Sequence, residues 1–109
     1  MSRISTHVLD TVSGKPAAGI PVRLEMKEGD AWKVIAKGVT DTDGRFGELA
    51  KNAAAGEYRL TFSTGAYLAS NGRTGIFREI SITVSCHGES HYHFPLLLSN
   101  NSYTTYRGS

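Results

Sequence analysis

The chain has 109 residues, enough for one domain with a modest core. Its formal net charge is +2, from 12 basic and 10 acidic residues with no basic run, so nucleic acid is not an expected partner. Cys86 is the single cysteine, which excludes an intrachain disulfide framework. No apolar stretch approaches the roughly 20 residues of a membrane helix or the apolar segment of a secretory leader; no membrane association is expected, and the cytoplasm is the expected compartment.

In chain order, "STHVLDT" sets His7 between Thr6 and Val8, on one face with Leu9 if the backbone is extended. "SGKPAAGIP" is turn-rich. "VRLEMK" then alternates Val22, Leu24 and Met26 with Arg23, Glu25 and Lys27. A period of two buries one face of a strand and wets the other. "KEGD" and "DTDGR" are further turns. Read as a calcium loop from Asp41, the second turn puts Arg45 where an oxygen ligand belongs and Asn52 where a glutamate belongs. It therefore reads as a plain Asp-Gly turn with Arg45 at the start of a strand.

After "AAAGE", the segment "EYRLTFS" alternates Tyr58, Leu60 and Phe62 with polar neighbours. "TGAYLASNG" is the one helical piece, opened by Thr64 and stopped by Gly72. "ISITVS" alternates Ile80, Ile82 and Val84. "HYHFPLLLS" is strand-like, although Pro95 argues against a place inside a ladder. "NNS" is a turn, and "YTTYR" alternates again with strand-favouring Tyr and Thr. The pattern predicts an all-β, two-sheet antiparallel sandwich with one short helix, a single domain over residues 1–109. Leu24, Trp32, Leu60, Phe62 and Ile82 are expected in its common core.

On a strand, His91 and His93 point the same way, about 6.6–7 Å apart, while Tyr92 and Phe94 point the other way. Neutral imidazoles take and return protons near neutral pH. Two solvent-facing histidines beside an aromatic core strand would give the same pattern. His87, in "CHGES", reads as a surface residue, and its neighbour Cys86 as inert. His7, His91 and His93 meet the ligand count of a catalytic zinc. No carboxylate or cysteine follows at convincing spacing, so no metal is expected. Arg45 carries five fixed donors, suited to a planar, carbonyl-rich or anionic ligand. No nucleophile elbow or phosphate loop is present.

Three segments carry a family likeness. "STHVLDTVSGKPAAGIPVRL", "TDTDGRFG" and "HYHFPLLLSNNSYTTYRGS" resemble the opening, second and closing motifs of the 5-hydroxyisourate hydrolases, in the transthyretin-like family. The resemblance spans essentially the whole chain. The tail is its most specific part, since ordinary transthyretin lacks the histidines and the Tyr-Arg-Gly-Ser ending. Phe94 stands where the family motif has valine. The resemblance implies a sandwich subunit, a homotetramer built as a dimer of dimers, and active sites in the cleft between dimers. It implies a small-molecule substrate, 5-hydroxyisourate, and no metal or organic cofactor. In the reaction it implies, water attacks the C6 carbonyl and the N1–C6 bond breaks, giving 2-oxo-4-hydroxy-4-carboxy-5-ureidoimidazoline. The implied catalytic set is His7, Arg45, His93 and Ser109, with Tyr106, Thr104 and Leu9 in the substrate cleft. His91 belongs to the same signature. Within that reading His7 is the expected base and His93 its relay, with the roles open to exchange. A non-enzymatic small-molecule binder on the same fold is the alternative.

Overall fold

The computed structural model describes residues 1–109. Its strands are β1 (Ser2–Asp10), β2 (Lys15–Pro16), β3 (Pro21–Glu28), β4 (Ala31–Val39), β5 (Arg45–Ala53), β6 (Gly56–Phe62), β7 (Ile80–Cys86), β8 (His91–Leu98) and β9 (Tyr103–Thr105). One helix, α1 (Thr64–Ser70), lies between β6 and β7. The two sheets of the expected sandwich are both present. In one, β8 lies between β1 and β9, while β2 and β5 pair with the other edge of β1. The second sheet runs β4-β3-β6-β7. All pairings are antiparallel except β1 with β8, which is parallel. No helix is long and apolar enough to cross a membrane.

The inward faces of the two sheets meet in one core. Ile4, Val8, Leu96 and Leu98 come from the first sheet, and Val22, Leu24, Leu60 and Phe62 from the second. Tyr92 and Phe94 face inward, stacked with centroids 6.2 Å apart, as the alternation predicts. Ile82 packs against this core as a partly buried residue. Trp32 does not reach it. β4 slips by one residue opposite Leu24 and Glu25, so Ala36 pairs with Leu24 but Val34 pairs with Glu25. A bulge of this kind moves every later side chain to the opposite face. Trp32 therefore lies on the outer surface, where the Arg59 guanidinium sits 4.5 Å above its ring.

Two further expectations change in detail. Ser63, not Thr64, is the residue preceding the first helical turn; the Thr64 hydroxyl donates instead to the Phe77 carbonyl. Pro95 lies within a ladder, between β1 and β9. Its missing N–H is tolerated because of what faces it. The carbonyls of His93 and Pro95 point to the β9 side, where the Gly108 amide and the Thr105 hydroxyl donate to them. The chain between those donors, Tyr106 and Arg107, steps off the ladder and offers no carbonyl that would need an amide from residue 95.

Asp10, buried at the inner end of β1, ties α1 and the following loop to the first sheet. Arg73 grips both carboxylate oxygens, the Tyr67 hydroxyl donates to Oδ2 at 2.7 Å, and the amides of Val12 and Ser13 donate to Oδ1. Burial alone would raise its pKa, but the bonds from Arg73, Tyr67 and the two amides together hold it well below the usual carboxylate range. Burial and the adjoining carboxylate push Tyr67 up to about 12. Because the folded pKa of Asp10 is depressed, its stabilisation is present above the unfolded value of about 3.9 and lost as pH falls through the folded value. Arg73→Met should cost about 3–5 kcal/mol at pH 7, by stranding a buried carboxylate. Urea unfolding of both proteins should show that gap narrowing on acidification.

Candidate active site

The outward face of the first sheet collects the chemistry. β1 presents Arg3, Ser5, His7 and Leu9 on that face, since Ile4, Thr6, Val8 and Asp10 are buried on the other. Parallel pairing sets Arg3 beside His91, Ser5 beside His93, and His7 beside Pro95. On the other edge of β1, antiparallel pairing sets His7 beside Arg45. Three segments remote in sequence therefore meet on three adjacent strands.

The Asp-Gly turn aims Arg45. The Asp41 carboxylate accepts from the amides of Asp43 at 2.9 Å and Arg45 at 3.0 Å, which closes the turn. Gly44 takes φ +75°, and a Cβ there would lie 2.4 Å from the Val8 carbonyl oxygen. Only glycine gives both that dihedral and that approach. Its carbonyl in turn accepts from the Val8 amide at 2.7 Å, locking the turn to β1. The same turn sets the tautomer of His7. The Asp43 carbonyl lies 2.9 Å from His7 Nε2 and can only accept, so Nε2 carries the proton and Nδ1 is left bare in the neutral ring.

His91 and His93 are joined through Ser5. The hydroxyl lies 2.8 Å from His91 Nε2 and 2.8 Å from His93 Nδ1, and the ring centroids are 6.0 Å apart. His93 Nε2 makes no hydrogen bond within the chain. The pKa of His93 is lowered, first by burial and then by the neighbouring His91, His7 and Arg45. Desolvation outranks the charge of Arg45 here. The ring is thus held neutral at pH 7.

The tail closes this side. The Gly108 amide donates to the His93 carbonyl at 2.7 Å, and a Cβ on Gly108 would sit 2.8 Å from the His93 ring. Arg107 lies 4.8 Å above the Tyr92 ring and pairs with Glu89. These contacts fix Ser109 at the mouth of a cavity of about 340 Å³. Arg3, Ser5 and Thr6 line it from β1, Arg45, Gly47 and Glu48 from β5, and His91 and His93 from β8. None of its lining side chains is hydrophobic.

The chain gathers Arg45, His93 and Ser109 in this cavity, with His7 adjoining through its pairing with Arg45. Leu9 and Thr104 lie farther along the same face, each paired in register with Leu97. Tyr106 is not in this cavity. It is 54% exposed and lines a separate opening with Ile82, Val84 and Phe94. The sequence reading passed over Ser5, Arg3 and Glu48. The first two were within reach, because they precede His7 by two and four residues on one strand face. His87 is exposed, and Cys86 is buried with its thiol pKa raised by burial.

Known proteins resemble this chain in sequence and fold. The chain is 46% identical over 110 residues to the 5-hydroxyisourate hydrolase of Salmonella dublin, covering 97% of this chain and 80% of that one. The solved 5-hydroxyisourate hydrolase of Klebsiella pneumoniae superposes with a TM-score of 0.90 at 40% identity, over the full length of both chains. Transthyretin from Sparus aurata superposes with a TM-score of 0.93 at 34% identity, over 99% of this chain and 97% of that one. The pattern of the HIUase/Transthyretin family matches residues 4–108, and the chain belongs to that family.

Proposed function

We propose that this chain, acting as one domain over residues 1–109, hydrolyses 5-hydroxyisourate to 2-oxo-4-hydroxy-4-carboxy-5-ureidoimidazoline. The observation that carries this reading is the convergence of Arg45, His93 and Ser109 on one cavity lined by no hydrophobic residue, with His7 beside Arg45. The substrate is flat and rich in carbonyls, and the Arg45 guanidinium can donate two parallel hydrogen bonds to its edge. A carrier of apolar ligands would line its site mainly with apolar side chains, and this cavity has none.

His93 takes the role of base in preference to His7. It lines the cavity, its pKa is depressed, and its Nε2 is bare when Nδ1 donates to Ser5. Nε2 accepts a proton from water as the oxygen adds to the C6 carbonyl. Arg45 faces the oxyanion that develops. Collapse of the tetrahedral species breaks the C6–N1 bond, and the imidazolium returns the proton to N1. His7, with Nδ1 bare, orients the water or the ring edge, and the Ser109 hydroxyl orients the opposite side. The route uses no cofactor.

The working unit in this proposal is a homotetramer with sites between dimers. β7 and β9 are edge strands, and both flank the opening lined by Ile82, Val84 and Tyr106. Unpaired edges of this kind invite a second copy. The polar cavity, Leu9 and Thr104 share an outward sheet face that a second dimer would cover. A single buried cysteine suits a reducing compartment, and we assign the enzyme to the cytoplasm.

With fresh substrate, the protein should accelerate loss of 5-hydroxyisourate absorbance; decay at the spontaneous rate alone would refute the reaction. Arg45→Ala should lower kcat by about 10²–10³, and His93→Ala by about 10²–10⁴, while both keep the far-ultraviolet signature of the sheets. The acid limb of kcat/KM should lie below pH 6.5, because the base is active when neutral and its pKa is depressed. Sedimentation analysis should give a tetramer, and a fully active monomer would remove the interface from the proposal.

A further inference from the structure

His91 lines the cavity, yet nothing in the hydrolytic route uses it. Its Nε2 and His93 Nδ1 both point to one hydroxyl, each at 2.8 Å. Ser5 is 5% exposed, enclosed beneath the two rings. A serine hydroxyl has one proton to donate and lone pairs to accept with. It can therefore donate to one imidazole only while accepting from the other. Two arrangements satisfy the bridge, and they differ by the concerted movement of two protons.

We infer that Ser5 is a proton relay through which His93 hands its positive charge to His91 during turnover. This rests on the hydrolytic reading above. At rest His93 Nδ1–H donates to Ser5 Oγ, and Ser5 O–H donates to His91 Nε2. When water loses a proton to His93 Nε2, that ring becomes an imidazolium. Its Nδ1 proton then passes to Oγ as the Oγ proton passes to His91 Nε2. His93 is left neutral with a proton on Nε2, ready for the leaving nitrogen, and His91 carries the charge. Reversal as Nε2 gives up that proton restores the starting state, and no atom or electron is gained.

Burial and its neighbours disfavour a resting charge on His93. His7 and Arg45 lie at the His93 end of this face, and both disfavour a cation there. His91 sits two residues farther along β8, with Arg3 beside it in register and Glu48 lining the same cavity. Ser109 is the remaining group at the mouth. Ser5 and His91 are positioning residues here, acting on substrate only through His93.

Side-chain ¹⁵N spectra can follow both rings across a pH titration without substrate. In the wild type the two sets of shifts should move together over the first protonation, since one proton is shared through Oγ. In Ser5→Ala they should move separately, with altered His93 tautomer populations. Independent titration in the wild type would overturn the relay, whatever the enzyme does with substrate. In turnover, Ser5→Ala and His91→Gln should each lower kcat about 10–100-fold with a displaced acid limb. The double variant should lose no more than the larger single loss, because the residues act as one unit. Ser5→Thr, which keeps the hydroxyl, should restore most of the rate. Losses that multiply, or a Ser5→Ala enzyme within twofold of wild type, would also overturn it. A wild type inert toward 5-hydroxyisourate but with coupled rings would defeat the hydrolytic reading instead.

Discussion

Eight consecutive residues of β1 lie beside eight of β8, from Arg3 opposite His91 to Asp10 opposite Leu98. The meeting of Ser5 with His91 and His93 depends on that parallel ladder. Ser5 can bridge two imidazoles because its strand position falls beside His93. A shift of one residue would turn the serine and the histidines to opposite faces. Register is protected by what lies beneath. Ile4, Val8, Tyr92 and Phe94 fill the core from the same two strands, so a slip would expose them. Hydrophobic burial thus specifies, from the dry side, the geometry of the wet side.

Two glycine-dependent contacts then complete the site from outside the ladder. Gly44 lets the turn before β5 approach the Val8 carbonyl, which sets both Arg45 and the tautomer of His7. Gly108 lets the tail lie against the His93 ring. The end of the chain is therefore no frayed segment. Arg107 stacked on Tyr92 and paired with Glu89 holds it before it reaches the cavity. Ordering these residues costs conformational entropy, offset by contacts that serve the site.

Much of this was legible in the chain. Period-two alternation located β3, β6 and β7 and gave the facing of His91 and His93 correctly, because one-sided burial writes itself into sequence. It failed where pairing departs from regularity. The bulge in β4 sent Trp32 outward, and no local signal marks where a bulge falls. β4 itself, an edge strand with a largely exposed run, has no clean alternation to read. Pro95 misled because its effect depends on what faces it across the ladder, and that is a long-range property. Tyr106 in the tail motif turns to a different opening from the histidines. The meeting of His7, Arg45 and His93 came from family likeness; periodicity alone gives facing, never partnership.

Side chains along β1 and β8 divide cleanly between packing and chemistry. Ile4, Val8, Tyr92 and Phe94 belong to the apolar core, whereas Ser5, His7, His91 and His93 lie outside it. Point changes at the second group remove no member of that core. The outward face of these two strands can therefore be rewritten while the dry interior keeps its membership.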